Sequence, residues 1–341
     1  MINFKDIKLT PEKLNKVLKI TGIFFLAIFL FFCFEVYVPI NPFSHETIIY
    51  TAQKGMGDEE ISKELEGMKM IRSNLFFRIY GVLSFQDGVL QAGKYSISPS
   101  MSMYKIIKKL STGDTVKNTL TILEGWDVND VQDYLQEKGL CKKNEFLSLI
   151  KNNYSATFDF LSDKPKNLNL EGYIFPDTYE IFEDDTCMDF LGLILRNFDA
   201  KLTPELRAEI KKQKKSVFDI VITASLIEKE VRNMEDKKIV SGILWKRLKI
   251  GMPLQLDCTI NYITGKSDAS ARTKDTKVDS PYNTYLYNGL PKGPISNPGI
   301  DSILAAIYPT KTNYLYWLSD GKTYFSATLE EHNAKKSQYL Q

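Results

Sequence analysis

The sequence predicts an α+β fold behind one N-terminal transmembrane helix. An uncharged apolar run covers residues 20–34, and its apolar character continues to Val38 with Glu35 as the acidic interruption. After this run, segments with helical periodicity and segments with strand periodicity mix without strict alternation, which favours α+β over α/β. The 341 residues are enough for about two domains, each with a core of its own.

The composition argues against several classes of function. The formal net charge is only +2, so the chain lacks the broad basic field that nucleic-acid binding requires. The two histidines, His45 and His332, exclude a His-rich metal site, and a Ser-His-Asp or Cys-His system would have to use one of them. No GxGxxG motif occurs, and the GKS tripeptide at 265–267 has Ile260 where a P-loop needs glycine. We therefore expect no metal, no cofactor and no nucleic-acid partner.

Cysteine is sparse, with Cys33, Cys141, Cys187 and Cys258 and no CxxC spacing. Cys33 lies in the apolar run, and the remaining three cannot all pair within one chain. Free cysteine usually behaves as a small buried hydrophobe. We therefore expect free, mostly buried thiols.

The apolar run has the length and the flanking charges of a membrane span. Residues 20–38 would form a helix of about 28 Å, close to a hydrocarbon core of about 30 Å. The basic residues that precede it are Lys5, Lys8, Lys13, Lys16 and Lys19. The positive-inside rule then places residues 1–19 in the cytoplasm and residues 41–341 outside the cytoplasmic (inner) membrane, in a single-pass topology. A cleaved signal peptide is the alternative, but no small-x-small cleavage site follows the run.

Residues 45–115 are expected to form a small module. Its predicted elements, in chain order, are a strand at 46–51, a helix from Asp58 to Glu66, a helix at 73–83, a strand at 91–98 and a helix from Ser102 to Leu110. Asp and Ser at the helix starts are good N-caps. A strand–helix–helix–strand unit of this size resembles the LysM-type glycan-binding module. A plain structural spacer is the alternative.

Residues 116–341 are expected to form a larger mixed α+β domain. Its clearest predicted elements are a strand at 118–123, a helix opened by Asp127, a buried helix at 216–231, a strand at 258–264, a helix begun by Asn297 and by Pro298 at its first position, a hairpin around Asp320 and Gly321, and a last helix capped by Thr328 and Glu331. The segment 216–231 is apolar on nearly all faces, which predicts a buried helix. Two β-prone runs around an Asp-Gly pair are a strong hairpin signal.

Two acids lie in the predicted buried helix, Glu228 and Glu230. A general acid at neutral pH needs a raised pKa, which apolar burial produces and a nearby cation opposes. Glu228 has Arg232 four residues ahead, a favourable helix pair that should keep its carboxyl ionised. Glu230 has no cation at helical spacing, so it is the better candidate for a general acid. The alternative is that both acids mark the point where the helix emerges into solvent.

The densest motifs follow one another along the second half of the chain. They are TILEGWDVNDV at 121–131, LEGYIFPDTYEI at 170–181, ASLIEKEV at 224–231, LWKRLKIGMPLQLDCTINYITG at 244–265, SPYNTYLYNGLPKGPISNPG at 280–299 and YLYWLSDGKTYFSATLEEHN at 314–333. In this order they resemble the endolytic murein transglycosylase family (MltG/YceG-like), and the N-terminal anchor and the LysM-like module fit the same pattern. The chain departs from the family pattern at Leu123 and Cys258, where the family has proline, and at Val231, where it has Thr or Ser.

The resemblance implies an enzyme, a lytic transglycosylase that cuts the MurNAc–GlcNAc bond of nascent peptidoglycan strands. It implies 1,6-anhydroMurNAc ends and a role as a terminase of glycan elongation. The family's catalytic glutamate lies in the E-K-E motif, here 228–230, and we assign the role to Glu230 with Glu228 as the alternative. The substrate-binding candidates are Gln255, Asp257, Tyr282, Asn283 and Thr284.

The partners that the resemblance implies are peptidoglycan glycan strands, the cytoplasmic membrane and the penicillin-binding peptidoglycan synthases. Two other functions stay open at this point. The chain could be a non-catalytic peptidoglycan-binding scaffold of the cell wall or of division. It could also be a hydrolytic muramidase, whose products would have reducing ends instead of anhydro ends.

Overall fold

The computed structural model describes residues 11–86, 88–116, 118–182, 185–266 and 272–339. Within them the protein mixes helices with short two-stranded antiparallel sheets, so the predicted α+β class is confirmed. The chain divides into two units, Met1–Asn118 and Thr119–Gln341, whereas the sequence placed a boundary between 115 and 116. Residues 1–10 of the predicted cytoplasmic segment lie outside the described residues.

Helix α1, Pro11–Tyr37, contains the predicted membrane span. Its stretch Leu14–Tyr37 is long and apolar enough to cross a membrane. Apolar side chains such as Phe25 and Phe29 are exposed along it, whereas Val36, near its end, is buried in the core of the first unit. An apolar surface of this length is typical of a helix surrounded by lipid.

The rest of the first unit has the predicted order of elements. They are β1 (Ile48–Ala52), α2 (Asp58–Gly67), α3 (Asn74–Leu83), β2 (Gly93–Ile97) and α4 (Met103–Thr112). The two strands pair antiparallel, with Ile48 opposite Ile97. Ser73 and Ser102 cap α3 and α4, because each hydroxyl accepts a hydrogen bond from a backbone N–H of the first turn. The predicted cap at Asp58 is wrong, because Gly57 is the N-cap of α2 and makes no side-chain hydrogen bond. Local pattern therefore predicted the order of elements, and two of the three caps are confirmed.

Strand β3 (Asn118–Thr121) leads into the second unit and pairs with β4 (Thr178–Ile181). The helices around these strands are α5 (Val128–Glu137), α6 (Glu145–Leu149), a short 3-10 helix at Asp159–Leu161, α7 (Cys187–Lys201) and α8 (Pro204–Lys212). Asp127 opens α5 as predicted, in a reciprocal capping arrangement with Asp130.

A disulfide joins Cys141, just after α5, to Cys187, the first residue of α7. The prediction of free thiols is therefore wrong for this pair. The two cysteines are 46 residues apart, and the packing of α6 against both α5 and α7 brings them together. Cys33 and Cys258 are free, and Cys258 is buried.

Helix α9 (Val217–Glu230) is the buried helix that the sequence predicted. Residues 220–227 are all buried, and Ser216 caps the helix reciprocally with Asp219. Helices α8, α10 (Met234–Lys249), α11 (Asp257–Thr264) and α12 (Ile300–Ile307) pack against it. This packing holds the C-terminal end of α9 rigidly in the second unit.

Two predictions in this unit are wrong. Residues 258–264 were expected to form a strand but belong to α11, which ends at Gly265 in the left-handed conformation, φ 65°. The segment is rich in β-prone residues, but residues 258–260 are buried consecutively, which suits a helix packed on α9 and not the alternation of a strand. Pro298 is not the first residue of α12, because Gly299 is its N-cap.

The chain ends in the predicted hairpin and helix. Strands β5 (Tyr316–Ser319) and β6 (Thr323–Ser326) pair antiparallel around the turn at Asp320 and Gly321. Helix α13 (Leu329–Tyr339) follows, and the Thr328 hydroxyl accepts from the Glu331 N–H at 3.2 Å as predicted. The Glu331 carboxylate accepts from the Ala327 N–H at 3.0 Å, one residue before the expected donor.

Candidate active site

The second unit contains a cavity of about 980 Å³. Its walls are formed by the start of α5, the C-terminal end of α9, the segment before α11, α11 itself, strand β5 and α13. The predicted site residues in its lining are Glu230, Gln255 and Asp257. The predicted site residues outside its lining are Glu228, Tyr282, Asn283 and Thr284.

Glu230 is the last residue of α9 and lines the cavity. Trp317 Nε1–H donates to Glu230 Oε2 at 3.2 Å, and the Cys258 thiol forms a hydrogen bond with the same carboxyl group. Burial raises the pKa of Glu230 above its usual value, and the bonds from Cys258 and Trp317 only partly oppose the rise. The charge of Asp257 adds to the rise, while that of Arg247 opposes it. A carboxyl group in this environment is suited to hold a proton closer to neutral pH.

Glu228 points to the other side of α9, since two residues along a helix turn the side chain by about 200°. Lys237 Nζ lies 3.1 Å from Glu228 Oε1, and the two side chains are only 3% and 8% exposed. Oε2 also accepts hydrogen bonds from the Gly299 N–H at 3.0 Å and the Ser302 hydroxyl at 2.7 Å. The predicted pairing with Arg232 is wrong, because α9 ends before that residue. A cation does pair with Glu228, but it comes from α10.

Arg247, on α10, connects two walls of the cavity. Its Nε donates to the Leu315 carbonyl at 2.7 Å and its Nη1 to the Leu254 carbonyl at 2.6 Å. The guanidinium also lies 5.1 Å from the ring centroid of Tyr316 and 5.4 Å from that of Trp317. The planar guanidinium suits this combination of ring contact and directed hydrogen bonds. Arg247 thereby holds the hairpin that carries the indole donor.

Gln255 and Asp257 line the cavity from the segment that leads into α11. Gln255 is exposed and has φ 51°, a left-handed conformation that is uncommon outside glycine. Its N–H donates to the Thr284 carbonyl at 3.1 Å. Asp257 Oδ1 accepts from the Tyr285 hydroxyl at 2.5 Å. A strained residue held in a cavity wall by such bonds is a feature of functional sites.

The loop at 280–287 supports this wall from behind. Asn283 and Thr284 are each 1% exposed. Asn283 Nδ2 donates to the carbonyls of Val278 at 2.7 Å and Thr276 at 3.0 Å, and Thr284 Oγ1 accepts from the Leu256 N–H at 2.9 Å. The Tyr282 ring packs 5.2 Å from the ring of Tyr262, which lines the cavity. These three predicted residues therefore hold the wall and do not form its surface.

Among the lining residues that were not singled out from the sequence are Arg247, Tyr262, Tyr285 and Trp317. All four lie inside the motif stretches 244–265, 280–299 and 314–333. Each of these side chains combines an aromatic ring or a planar guanidinium with a polar group. That combination is the sequence feature that could have identified them as site residues. Among the residues that the structure describes, no group of three or more His, Cys, Asp or Glu side chains is arranged to hold a metal ion.

Comparison with known proteins shows which family the chain belongs to. The YceG-like family matches residues 50–338. The chain belongs to this family. It is 33% identical over 316 residues to the endolytic murein transglycosylase of Bacillus subtilis (strain 168). The matched residues cover 89% of this chain and 87% of the relative.

A second relative and a solved structure agree with this assignment. The endolytic murein transglycosylase of Streptococcus pneumoniae serotype 2 is 31% identical over 334 residues, which cover 89% of this chain but 60% of that longer protein. A crystal structure of a yceG-like protein from Listeria monocytogenes has 34% sequence identity and a TM-score of 0.58, and it covers 86% of this chain and 100% of its own. The resemblance found in the motifs is thus confirmed.

In this YceG-like chain, Asn297 joins three of the motif stretches beside the site. Its Oδ1 accepts from the N–H groups of Gly172 and Ile174 at 2.9 Å each. Its Nδ2 donates to the Trp126 carbonyl at 3.0 Å and to Glu171 Oε1 at 3.1 Å. Burial raises the pKa of Glu171 to about 8. This second buried acid serves the fold, since its carboxyl group is bonded to neighbouring protein groups.

Proposed function

We propose that this chain is an endolytic murein transglycosylase that cleaves the MurNAc–GlcNAc bond of peptidoglycan strands and leaves 1,6-anhydroMurNAc ends. The observation that carries the proposal is Glu230, whose carboxyl group has a raised pKa and faces a cavity of about 980 Å³ in a YceG-like chain. The relatives from Bacillus subtilis and Streptococcus pneumoniae carry the name of this activity.

In the proposed reaction Glu230 acts first as an acid and then as a base. Its proton passes to the glycosidic oxygen as the bond from that oxygen to MurNAc C1 breaks. The C6 hydroxyl of the same MurNAc then attacks C1, and its proton returns to the Glu230 carboxylate. No water is consumed. An intramolecular nucleophile has a large proximity advantage, so one well-placed acid is sufficient.

The surroundings of the two acids support Glu230 over Glu228 as this residue. Glu228 is bonded to Lys237, Gly299 and Ser302, and its side chain is 8% exposed, so no face of its carboxyl group is left for a sugar. Glu230 lines the cavity and has the raised pKa that an acid needs. Glu228 then serves to fix the end of α9.

Gln255 and Asp257 are the proposed direct contacts to the glycan, because both line the cavity. The exposed amide of Gln255 suits sugar hydroxyls. The carboxylate of Asp257 would stabilise positive charge that develops at C1 as the bond breaks. Asn283 and Thr284 contribute indirectly, since their hydrogen bonds hold the wall in place.

The same site could serve a hydrolytic muramidase if Asp257 activated a water molecule, since hydrolytic glycosidases usually work with two carboxyl groups. The reaction products distinguish this second candidate. We assign the cleavage to nascent strands, so that it terminates their elongation. The penicillin-binding synthases that make these strands are the proposed protein partners.

The first unit is proposed to be a LysM-like module that holds a glycan strand. Its strand–helix–helix–strand order supports this assignment, as does a shallow pocket between the β1–α2 loop and the α3–β2 loop. Met56, Arg78 and Leu90 are among the residues that line the pocket, which therefore combines apolar and hydrogen-bonding groups.

Helix α1 is proposed to anchor the chain in the cytoplasmic membrane with the second unit outside. The lysines that precede the span support this orientation by the positive-inside rule. The disulfide between Cys141 and Cys187 supports it independently, because disulfides persist mainly in oxidising compartments outside the cytoplasm.

The test uses the full chain in detergent micelles with purified peptidoglycan, and mass spectrometry of the released muropeptides. The matched variants are Glu230→Gln and Glu228→Gln, both isosteric and two residues apart on α9. We expect anhydro-ended products from the wild-type chain, none from Glu230→Gln, and a retained though reduced yield from Glu228→Gln at temperatures where it stays folded.

Other outcomes would each correct a different part of the proposal. Loss of activity in folded Glu228→Gln alone would move the catalytic role to that residue. Reducing ends would make the protein a hydrolase. Absence of products from the folded wild-type chain in vesicles, with synthase present, would leave the scaffold function.

A further inference from the structure

Helix α3 carries an apolar face that remains exposed on the first unit. Its residues are Leu75, Ile79, Val82 and Leu83, with exposures of 57%, 38%, 57% and 64%. At 3.6 residues per turn they occupy one arc of about 100°. The opposite side of the helix is buried in the unit. Contiguous exposed apolar side chains of this kind mark a binding surface, which we call the α3 face.

The α3 face lies beside the membrane span. The Phe76 ring of α3 is 5.6 Å from the ring of Phe31 and 5.9 Å from that of Phe32, both on α1. Tyr80, one turn further on, lies 6.3 Å from Tyr37, ring to ring. Phe31 comes six residues before Tyr37, which is about 9 Å along the helix axis. The start of α3 is therefore level with the last turns of the apolar span.

Arg72 fixes this arrangement. Its guanidinium donates to the carbonyls of Val38 and Pro39 at 2.5 and 2.6 Å and lies 4.6 Å over the ring of Phe34. Arg72 comes immediately before Ser73, the N-cap of α3. The end of α1 and the beginning of α3 are thus bonded to each other within the same unit.

The exposed apolar surface continues from α1 onto α3. Phe31 and Phe34 are exposed on the span, and Phe85, just after α3, is also exposed. The edge of the α3 face is polar, because Arg78 pairs with Glu59 at 3.9 Å. Apolar helix faces that contact a membrane interface sink about 5–10 Å into the boundary between headgroups and acyl chains.

We propose that α3 is a second membrane contact, an interfacial helix whose α3 face lies against the acyl chains beside the span. This inference rests on the proposed anchoring of α1. Lipid is the occupant because the face is continuous with the lipid-exposed side of α1 and level with its last turns. The contact would hold the LysM-like module at a fixed height and tilt on the membrane surface, where a nascent glycan strand emerges.

The test measures how deeply single sites of the full chain lie in phosphatidylglycerol–phosphatidylethanolamine vesicles. Cys33→Ser and Cys258→Ser remove the free thiols, and the disulfide pair does not react. One cysteine is then introduced and labelled with an environment-sensitive fluorophore: Val82→Cys on the α3 face, Lys63→Cys on exposed α2 as the matched control, or Phe24→Cys on α1 as the reference. Quenching by nitroxide lipids is compared with quenching by aqueous iodide.

We expect the labels at 82 and 24 to lose fluorescence to nitroxide lipids and to resist iodide, with the reverse at 63. A label at 82 that only iodide quenches, while the label at 24 responds to lipid, would overturn the inference and leave the anchor intact. A label at 24 that does not respond to lipid would overturn the anchor and the inference together. Protection at 82 from both quenchers, lost on dilution of protein in lipid, would show a second copy on the face and would also overturn it.

Discussion

Replacing Lys237 with methionine tests the structural role assigned to Glu228. The ammonium group lies 3.1 and 3.3 Å from the two carboxylate oxygens, and both side chains are almost fully buried. Lys237→Met fills the same space but leaves the Glu228 carboxylate without a cation in the protein interior. Removing one member of a buried pair typically costs about 3–5 kcal/mol of folding free energy, because the remaining charge is uncompensated.

A double replacement isolates the charge effect. In Lys237→Met with Glu228→Gln neither side chain is charged, and the glutamine oxygen can still accept from the Gly299 N–H and the Ser302 hydroxyl. Most of the lost stability should therefore return. The matched control is Lys238→Met, one residue away on α10, whose partner Glu235 is exposed. That ion pair is 3.5 Å long, with side-chain exposures of 31% and 79%, so its loss should cost less than about 1 kcal/mol.

The assay is thermal unfolding of the full chain in micelles, followed by tryptophan fluorescence. The three tryptophans, Trp126, Trp245 and Trp317, all lie in the second unit, so the signal reports on the unit that contains the pair. For a unit of this size each kcal/mol lowers Tm by about 2–4 °C, which gives a decrease of roughly 6–20 °C for Lys237→Met.

Two results would refute the reasoning. If Lys237→Met unfolded at the wild-type temperature, the buried pair would not support the end of α9. If the double variant regained wild-type Tm but produced no anhydro-ended muropeptides, while Glu230→Gln stayed active, Glu228 would be the acid.

Three further predictions follow from the site and its support. Cys258→Ala removes a hydrogen bond that lowers the pKa of Glu230, so the pH at which kcat/KM falls should move upward in a pH series on peptidoglycan; a downward shift would contradict the contact. Replacing Cys141 and Cys187 with alanine should cost about 2–4 kcal/mol in denaturant unfolding, and an unchanged midpoint would mean that the bond does not constrain the unfolded chain. The pKa of Glu171 is raised to about 8, so its contribution to stability is complete below its ordinary pKa of 4.5 and is lost as the pH rises through 8. Glu171→Gln should therefore flatten the dependence of Tm on pH between these two values. An unchanged slope would show that another group titrates in this window.

Where structure follows from local chemistry, the sequence was sufficient to predict it. The buried helix α9 has apolar residues on nearly all faces, its cap at Ser216 is local, and the hairpin is specified by the turn at Asp320 and Gly321. The choice of Glu230 over Glu228 was also made from neighbours along the helix, but its premise, a pairing of Glu228 with Arg232, is wrong, and the choice itself stays a prediction. The cation that pairs with Glu228 is Lys237 of α10, which no pattern along α9 could show, while Glu230 lines the cavity.

Features that depend on distant contacts were missed. Residues 258–264 look like a strand when taken alone, and only packing against α9 and the left-handed end at Gly265 make them helical. The disulfide joins cysteines that are 46 residues apart, so no short Cys spacing in the sequence predicts it. The indole of Trp317 reaches Glu230 across 87 positions of sequence, so its role as a donor to the acid depends on the hairpin fold as a whole.

In the proposed mechanism, one end of α9 serves both the fold, through Glu228, and the reaction, through Glu230. Two residues along α9 turn the side chain by about 200°, so Glu228 and Glu230 must face opposite sides. One side is the packed interface with α10 and α12, where Lys237 and Ser302 hold Glu228. The other is the cavity, where burial raises the pKa of Glu230. The bonds that fix the Glu228 carboxyl group therefore also fix the direction of the Glu230 side chain. A variant that loosens Glu228 should lower activity because it misplaces Glu230, without changing the type of product.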